Sequence, residues 1–289
     1  MTEAPSASVE FAALLARLRE RRGVIGAVLT GSRARQGTAP PRSDYDVLLV
    51  TEDGAEADAA AELRRGARLD VWALPLSEFR AHALPGSGSE WNRYTFAHAV
   101  VLRDTPDGLL ARLVSAKGRL TAEEAARAAP AALDAFCNGV YRSLKNDRDG
   151  DPCAARLDAA ELAVPGFLSY VFACEQRVRP FNRYLRWELR HHPLSRPEWA
   201  AERLLPLLEE TLTAASPAPG LRAMFNGLEP HARAAGHGPV LDGWGEDLLL
   251  MRGVPDRGAP SQAAPAGGQP HPALSGQPHG AGRCPSVAS

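Results

Sequence analysis

Two short apolar runs, Val24–Leu29 and Val47–Val50, flank a corner that opens with Gly31-Ser32 and closes with Ser43-Asp44-Tyr45-Asp46. No other stretch constrains the chain as tightly. Apolar runs of this length, bounded by glycine and polar residues, are the mark of strands in a buried sheet. Gly31-Ser32 therefore stands where one strand ends and a turn begins. Side chains alternate along a strand, so Asp44 and Asp46 leave the backbone on one face. Two neighbouring carboxylates repel each other, and a divalent cation relieves the repulsion. Mg²⁺ is typically held by one or two carboxylates together with substrate phosphates. A turn lacking one Cβ lets backbone N–H groups and a hydroxyl approach a phosphate closely. Phosphate grip and metal grip side by side imply phosphoryl or nucleotidyl transfer.

A third acid extends the pattern. Asp70 lies in the strand-like run Arg68–Leu74. If that strand pairs beside the one carrying Asp44 and Asp46, its carboxylate points at the same place. There it would help hold a second metal, or take the proton from an attacking hydroxyl. A turn serine with two solvent-facing aspartates would explain each piece singly, but not their order.

Gly31-Ser32, then Asp44-x-Asp46, then Asp70, resembles the nucleotidyltransferase superfamily that includes DNA polymerase β. The form Gly31-Ser32-Arg33-Ala34 followed by Ser43-Asp44-x-Asp46 is similar to the minimal nucleotidyltransferases and to the adenylyltransferases that inactivate aminoglycosides. The motifs cover roughly residues 24 to 74, and the rest of the chain fits by order of elements. The resemblance implies that Gly31, Ser32, Arg33 and Ser43 bind the nucleotide and that Asp44, Asp46 and Asp70 hold Mg²⁺, two ions in all. It implies AMP transfer from ATP to a hydroxyl of a small acceptor such as an aminoglycoside-like sugar, with release of pyrophosphate. Kanamycin nucleotidyltransferase-like enzymes use a glutamate of the second domain as base, and Glu161 is the candidate by chain order. Helical domains of the family often supply a basic residue to the phosphates. Lys145 and Arg148, at a helix end, are the candidates here, Lys145 and Lys117 being the only two lysines of the sequence. The alternatives are an antitoxin-type enzyme that modifies a protein, and a nucleotide-binding protein without turnover.

The chain of 289 residues has material for two modest domains. Its 33 basic and 34 acidic residues give a net charge of −1, without the basic excess of a general nucleic-acid binder. Cys137, Cys153, Cys174 and Cys284 are widely spaced and read as free thiols of a reducing compartment. No signal peptide and no apolar run long enough to span a membrane is visible, so a cytoplasmic protein, monomer or homodimer, is expected.

The expected fold is α+β. A small mixed-sheet catalytic domain with flanking helices covers residues 1–115, an α-helical bundle domain that clamps substrate or nucleotide covers 116–252, and a disordered Pro/Gly-rich tail covers 253–289. Helices are expected over Val9–Arg22 and the Ala-rich stretch 52–65, and from Thr121, which opens a capping box with Glu124. Pro165 is expected to kink the apolar segment 162–173. The Asp147–Asp151 cluster lacks the spacing of a calcium loop and reads as a turn. Trp91 and Tyr94 either stack on an adenine or a sugar, or pack. In the arginine- and aromatic-dense stretch 179–194, a helix face of Phe181, Tyr184, Leu185 and Glu188 with Trp187 nearby either lines the acceptor or packs.

Overall fold

The computed structural model describes residues 6–40 and 43–254, so the tail expected from 253 lies, from residue 255 onward, outside the described residues. Helix α1 (Ala7–Leu18) starts at Ser6, whose hydroxyl accepts the Val9 N–H. It ends short of the expected Arg22 because the chain turns to bring the Gly23 N–H to Asp58 Oδ2 at 2.8 Å. A Cβ at Gly23 would lie 2.5 Å from that oxygen.

Four strands follow: β1 (Val24–Thr30), β2 (Tyr45–Thr51), β3 (Leu69–Pro75) and β4 (Val100–Arg103). Their order is β3-β2-β1-β4, with β1 antiparallel to β2 and β4 and β2 parallel to β3. Both faces of the central strands are covered, as their unbroken apolar runs require. Ala27, Leu29, Val47 and Leu49 pack with Leu14 and Leu18 of α1. Val28, Leu48 and Val50 point the other way, onto Phe79 of helix α3 (Leu76–Ala81), Phe96 of the 3₁₀ stretch Glu90–Phe96, and Leu110 and Val114 of helix α4 (Leu109–Lys117). The period-2 alternation thus divides one strand between two cores.

The stretch 52–65 forms only the single turn α2 (Ala57–Ala60), not the expected helix. Its later residues are drawn elsewhere. Glu62 is 1% exposed and accepts from Arg17 at 2.9 Å and Arg21 at 3.4 Å. Arg64 exchanges both backbone hydrogen bonds with Val71 and so covers the edge of β3.

Beyond β4 the described residues are helical, apart from one isolated bridge between Arg119 and Arg177. Lys117 ends α4 fully buried, its ammonium donating to the carbonyls of Arg80 and His82 at 3.0 and 2.7 Å. Helix α5 (Ala122–Arg148) opens with the expected capping box of Thr121 and Glu124. The acidic cluster at its end is a connection: Gly150 takes φ +85 and Asp151 caps α6 (Pro152–Asp158) by accepting the Ala154 N–H. A π-helical turn, Ala159–Ala163, joins α6 to α7 (Val164–Ala173). Pro165 has no N–H for the Glu161 carbonyl, and the backbone absorbs that gap as a wider turn. Helices α8 (Asn182–His191), α9 (Ala201–Thr213), α10 (Ala218–Ala234), α11 (Gly238–Asp242) and α12 (Asp247–Arg252) complete the chain, most of them around an apolar core built on α5 and α7. Among the described residues no helix is long and apolar enough to cross a membrane.

Helices α5 and α7 cross in backbone contact at two glycines. A Cβ at Gly139 would lie 2.4 Å from Ala163 N, and one at Gly166 would lie 2.6 Å from Phe136 N. Gly227, on the exposed side of α10, faces open space. The same substitution therefore has opposite signs. Gly166→Ala should cost about 1–3 kcal/mol through overpacking, while Gly227→Ala should add about 0.5–1 kcal/mol through helix propensity. Thermal melts would show the first falling by several degrees and the second rising slightly. Equal shifts would contradict the close crossing.

Candidate active site

The corner between β1 and β2 is built around a close approach. Gly31 takes φ +64, and a Cβ there would stand 1.8 Å from Asp46 Oδ2. Both facts require glycine: left-handed backbone, and no room beside the carboxylate. A 3₁₀ turn, Ser32–Ala34, follows. The buried Ser32 and Ser43 hydroxyls are hydrogen-bonded to each other, so the two ends of the corner meet. Thr38 donates its hydroxyl to the Ser32 carbonyl at 2.8 Å. Arg33 donates to the Ser43 carbonyl at 2.9 Å, and its guanidinium lies over Tyr45.

Asp44 precedes β2 and Asp46 is its second residue, two apart and so on one face. In the parallel pairing of β2 with β3, Asp46 stands directly opposite Asp70, while Thr30 of β1 flanks it on the other side. The Asp46 carboxyl is raised from 3.8 to about 6, first by burial, then by the charges of Asp44 and Asp70, against the lowering effect of Arg183 and Arg35. The three acids therefore share one electrostatic patch. Among the described residues no group of three or more His, Cys, Asp or Glu is already gathered at metal-binding spacing. The donor chemistry, three carboxylates with neither imidazole nor thiolate, fits a hard cation such as magnesium, which keeps several oxygen ligands from water and phosphate.

The helical half reaches this corner through α8. Arg183 is one of the two cations acting on Asp46. Arg35 is only 2% exposed, held between the rings of Tyr94 and Tyr184 with its guanidinium carbon 4.8 and 4.4 Å from their centroids. It donates to the Gly31 carbonyl at 2.6 Å and to the Tyr94 carbonyl at 3.1 Å. Trp187 donates its indole N–H to the Gln36 carbonyl at 2.9 Å. Glu188 accepts from Tyr94, His98 and Arg177. Burial opposes its ionisation, but those hydrogen bonds and the His98 charge outweigh it and bring the carboxyl down to about 2. Of the face Phe181, Tyr184, Leu185 and Glu188 read from helical spacing, Phe181, Tyr184 and Glu188 turn to the sheet half, with Tyr94 packing edge-on against Phe181, while Leu185 packs on the helical core.

The remaining residues picked from sequence stand elsewhere. Lys145 is exposed near the end of α5, and Arg148 pairs with Asp149 at 2.9 Å. Their neighbours Asn146 and Asp147 bond to Asp158 and Ser216, within the helical half. Glu161 is exposed on the π-helical turn. Neither Lys145 nor Glu161 is among the charges that shift Asp46. Tyr94 is buried and packs, Trp91 is 74% exposed, and both line a recess of about 390 Å³ with Arg179 and Phe181. A cleft of about 660 Å³ runs between His98, Arg119, Arg177 and His192, and none of the three acids lines it. Arg35 and Arg183 were missed because arginines are abundant and neither stands out locally. The only pointer was the arginine- and aromatic-rich stretch around α8.

A carboxyl that ionises near 6 in the folded chain and near 3.8 when unfolded binds more protons folded between those values, so stability falls as pH rises through that window. Asp46→Asn removes the effect. Because the group is partly exposed, the gain should be about 1–2 kcal/mol at pH 8, vanishing near pH 4. Thermal melts of both proteins at the two pH values decide it, and a less stable Asp46→Asn at pH 8 would contradict the crowding of acids.

No curated protein matches the chain. Residues 12–83, which contain Gly31, Ser32 and all three acids, match the family model described as a nucleotidyltransferase domain, and this match supports the polymerase-β-like superfamily and nucleotidyl transfer as the general activity.

Proposed function

We propose that the protein moves a nucleoside monophosphate, AMP from ATP, onto a hydroxyl of a small acceptor and releases pyrophosphate. The observation that carries this reading is the raised Asp46 carboxyl, crowded by Asp44 and Asp70 beside a corner that excludes a Cβ. Asp44, Asp46 and Asp70 would hold magnesium. Such an ion would supply positive charge against the negative charge that builds on the α-phosphate and the leaving pyrophosphate.

The chain's own residues bind and orient. The Gly31–Ser32 corner accepts the triphosphate through backbone N–H groups and the Ser32 hydroxyl, which the Ser43 hydroxyl holds in place. Arg183 adds a cation from the helical half, in place of Lys145 and Arg148; its action on Asp46 supports that role. Asp70 takes the acceptor proton, an assignment supported by its place opposite Asp46. Glu161 remains a candidate base by order along the chain. Residues 116–252 serve as the clamping region, with α8 as the part that reaches the corner. An aminoglycoside-like sugar heads the acceptor panel, on resemblance alone.

The test is pyrophosphate release with Mg²⁺, each nucleoside triphosphate and a panel of hydroxylated antibiotics and sugars. Asp44→Asn and Asp46→Asn should each lower turnover at least about 100-fold, the loss of several kcal/mol of charge stabilisation, with the fold retained. Wild-type rates in either variant would remove the site from consideration. An adduct on a protein, with none on any small molecule, would favour the antitoxin-type activity.

A further inference from the structure

Glu188 is 3% exposed, yet no reacting group is among its partners. Its carboxylate accepts from Tyr94 Oη at 2.6 Å, His98 Nε2 at 2.7 Å and Arg177 Nη2 at 2.6 Å. Two of these donors belong to the sheet half and one to the helical half. Three donors converging on one buried side chain need a group that only accepts. From Tyr94 the connection continues without a gap. The Tyr94 carbonyl accepts from Arg35, and Arg35 donates to the carbonyl of Gly31. One helical turn before Glu188, Tyr184 closes the other side of the Arg35 guanidinium. Trp187, next to Glu188, donates to the Gln36 carbonyl. Helix α8 therefore grips the corner 31–36 at both ends, and Glu188 is the anchor of that grip.

We infer that Glu188 is a positioning residue: its buried carboxylate pins α8 to the sheet half and thereby, through Tyr94 and Arg35, fixes the Gly31–Ser32 corner for the triphosphate. The inference rests on the proposed reading of that corner as the nucleotide grip. A residue serving the fold alone would, when changed, reduce the amount of folded protein but leave the surviving molecules with a normal corner. A positioning residue changes the corner itself.

The experiment compares wild type with Glu188→Gln, which keeps the shape but sets an amide N–H against one of the three donors. Hydrogen exchange of the backbone over 30–38 reads the linkage, and titration with a fluorescent ATP analogue in Mg²⁺ reads its consequence. Loss of charged hydrogen bonds should speed exchange over 30–38 about tenfold and weaken nucleotide binding by a similar factor, while exchange in the α5–α7 core stays unchanged. Tyr94→Phe, which removes only the hydroxyl, should produce the same pattern at roughly threefold and serves should Glu188→Gln not fold. A lower melting temperature with unaltered exchange over 30–38 and unaltered affinity would overturn the inference. Faster exchange in the variants, with no nucleotide binding even by wild type, would uphold the linkage and overturn the nucleotide reading instead.

Discussion

Asp46 occupies space that a side chain at position 31 would fill, and the rest of the site depends on that exclusion. With any Cβ at 31 the carboxylate would have to leave its place opposite Asp70. The glycine therefore does two things with one absence. It permits the left-handed backbone that turns β1 into the 3₁₀ corner, and it lets an acid lie against that corner. Strand pairing supplies the other neighbours. Thr30 and Asp70 flank Asp46 from the two adjacent strands, so Asp46 and Asp70 are brought together by sheet register, with Asp44 one residue before the start of β2. Sites carried on strands hold their geometry better than sites carried on loops.

The charge arrangement follows from this packing. Burial and two like charges push Asp46 toward neutrality, and two arginines oppose them. Those arginines come from different places: Arg35 from the corner itself, Arg183 from α8 more than a hundred residues later. The acids are thus only partly neutralised by the protein's own cations. What remains is negative and partly desolvated, a setting in which a cation brings the largest gain.

What the sequence revealed was what local rules govern. Alternation over two residues placed Asp44 and Asp46 on one face, and Thr121 with Glu124 announced the start of α5 because a capping box is complete within four residues. Asp70 needed only the order of strands. Failures came where a distant partner decided. The stretch 52–65 has the composition of a helix, but Glu62 is claimed by Arg17 and Arg21 and Arg64 by Val71. Arg35 looks like any surface arginine until Tyr94 and Tyr184 close over it. The rarity of lysine drew attention to Lys145, but rarity carries no spatial information. Lys117, equally rare, is buried against the carbonyls of Arg80 and His82 at the end of α3, and Lys145 is exposed.

The contacts between the sheet half and the helical half differ in kind from those inside either. The apolar clusters stay on their own sides: two cover the faces of the sheet, and the third is built on α5 and α7. Beside the ring contacts of Tyr94 with Phe181 and Tyr184, the links across are directional. Arg93 donates to Glu124 and to the carbonyls of Lys117 and Arg119, Glu188 gathers Tyr94 and His98, and Trp187 reaches Gln36. Apolar packing is tolerant of small rotations, whereas a buried carboxylate with three donors has few alternative arrangements. Buried ion pairs add little net stability, because desolvation offsets most of their attraction, but breaking one partner away is costly. A junction made of them therefore contributes orientation more than strength. That is the property required where one half carries the acids and the other brings Arg183 to them.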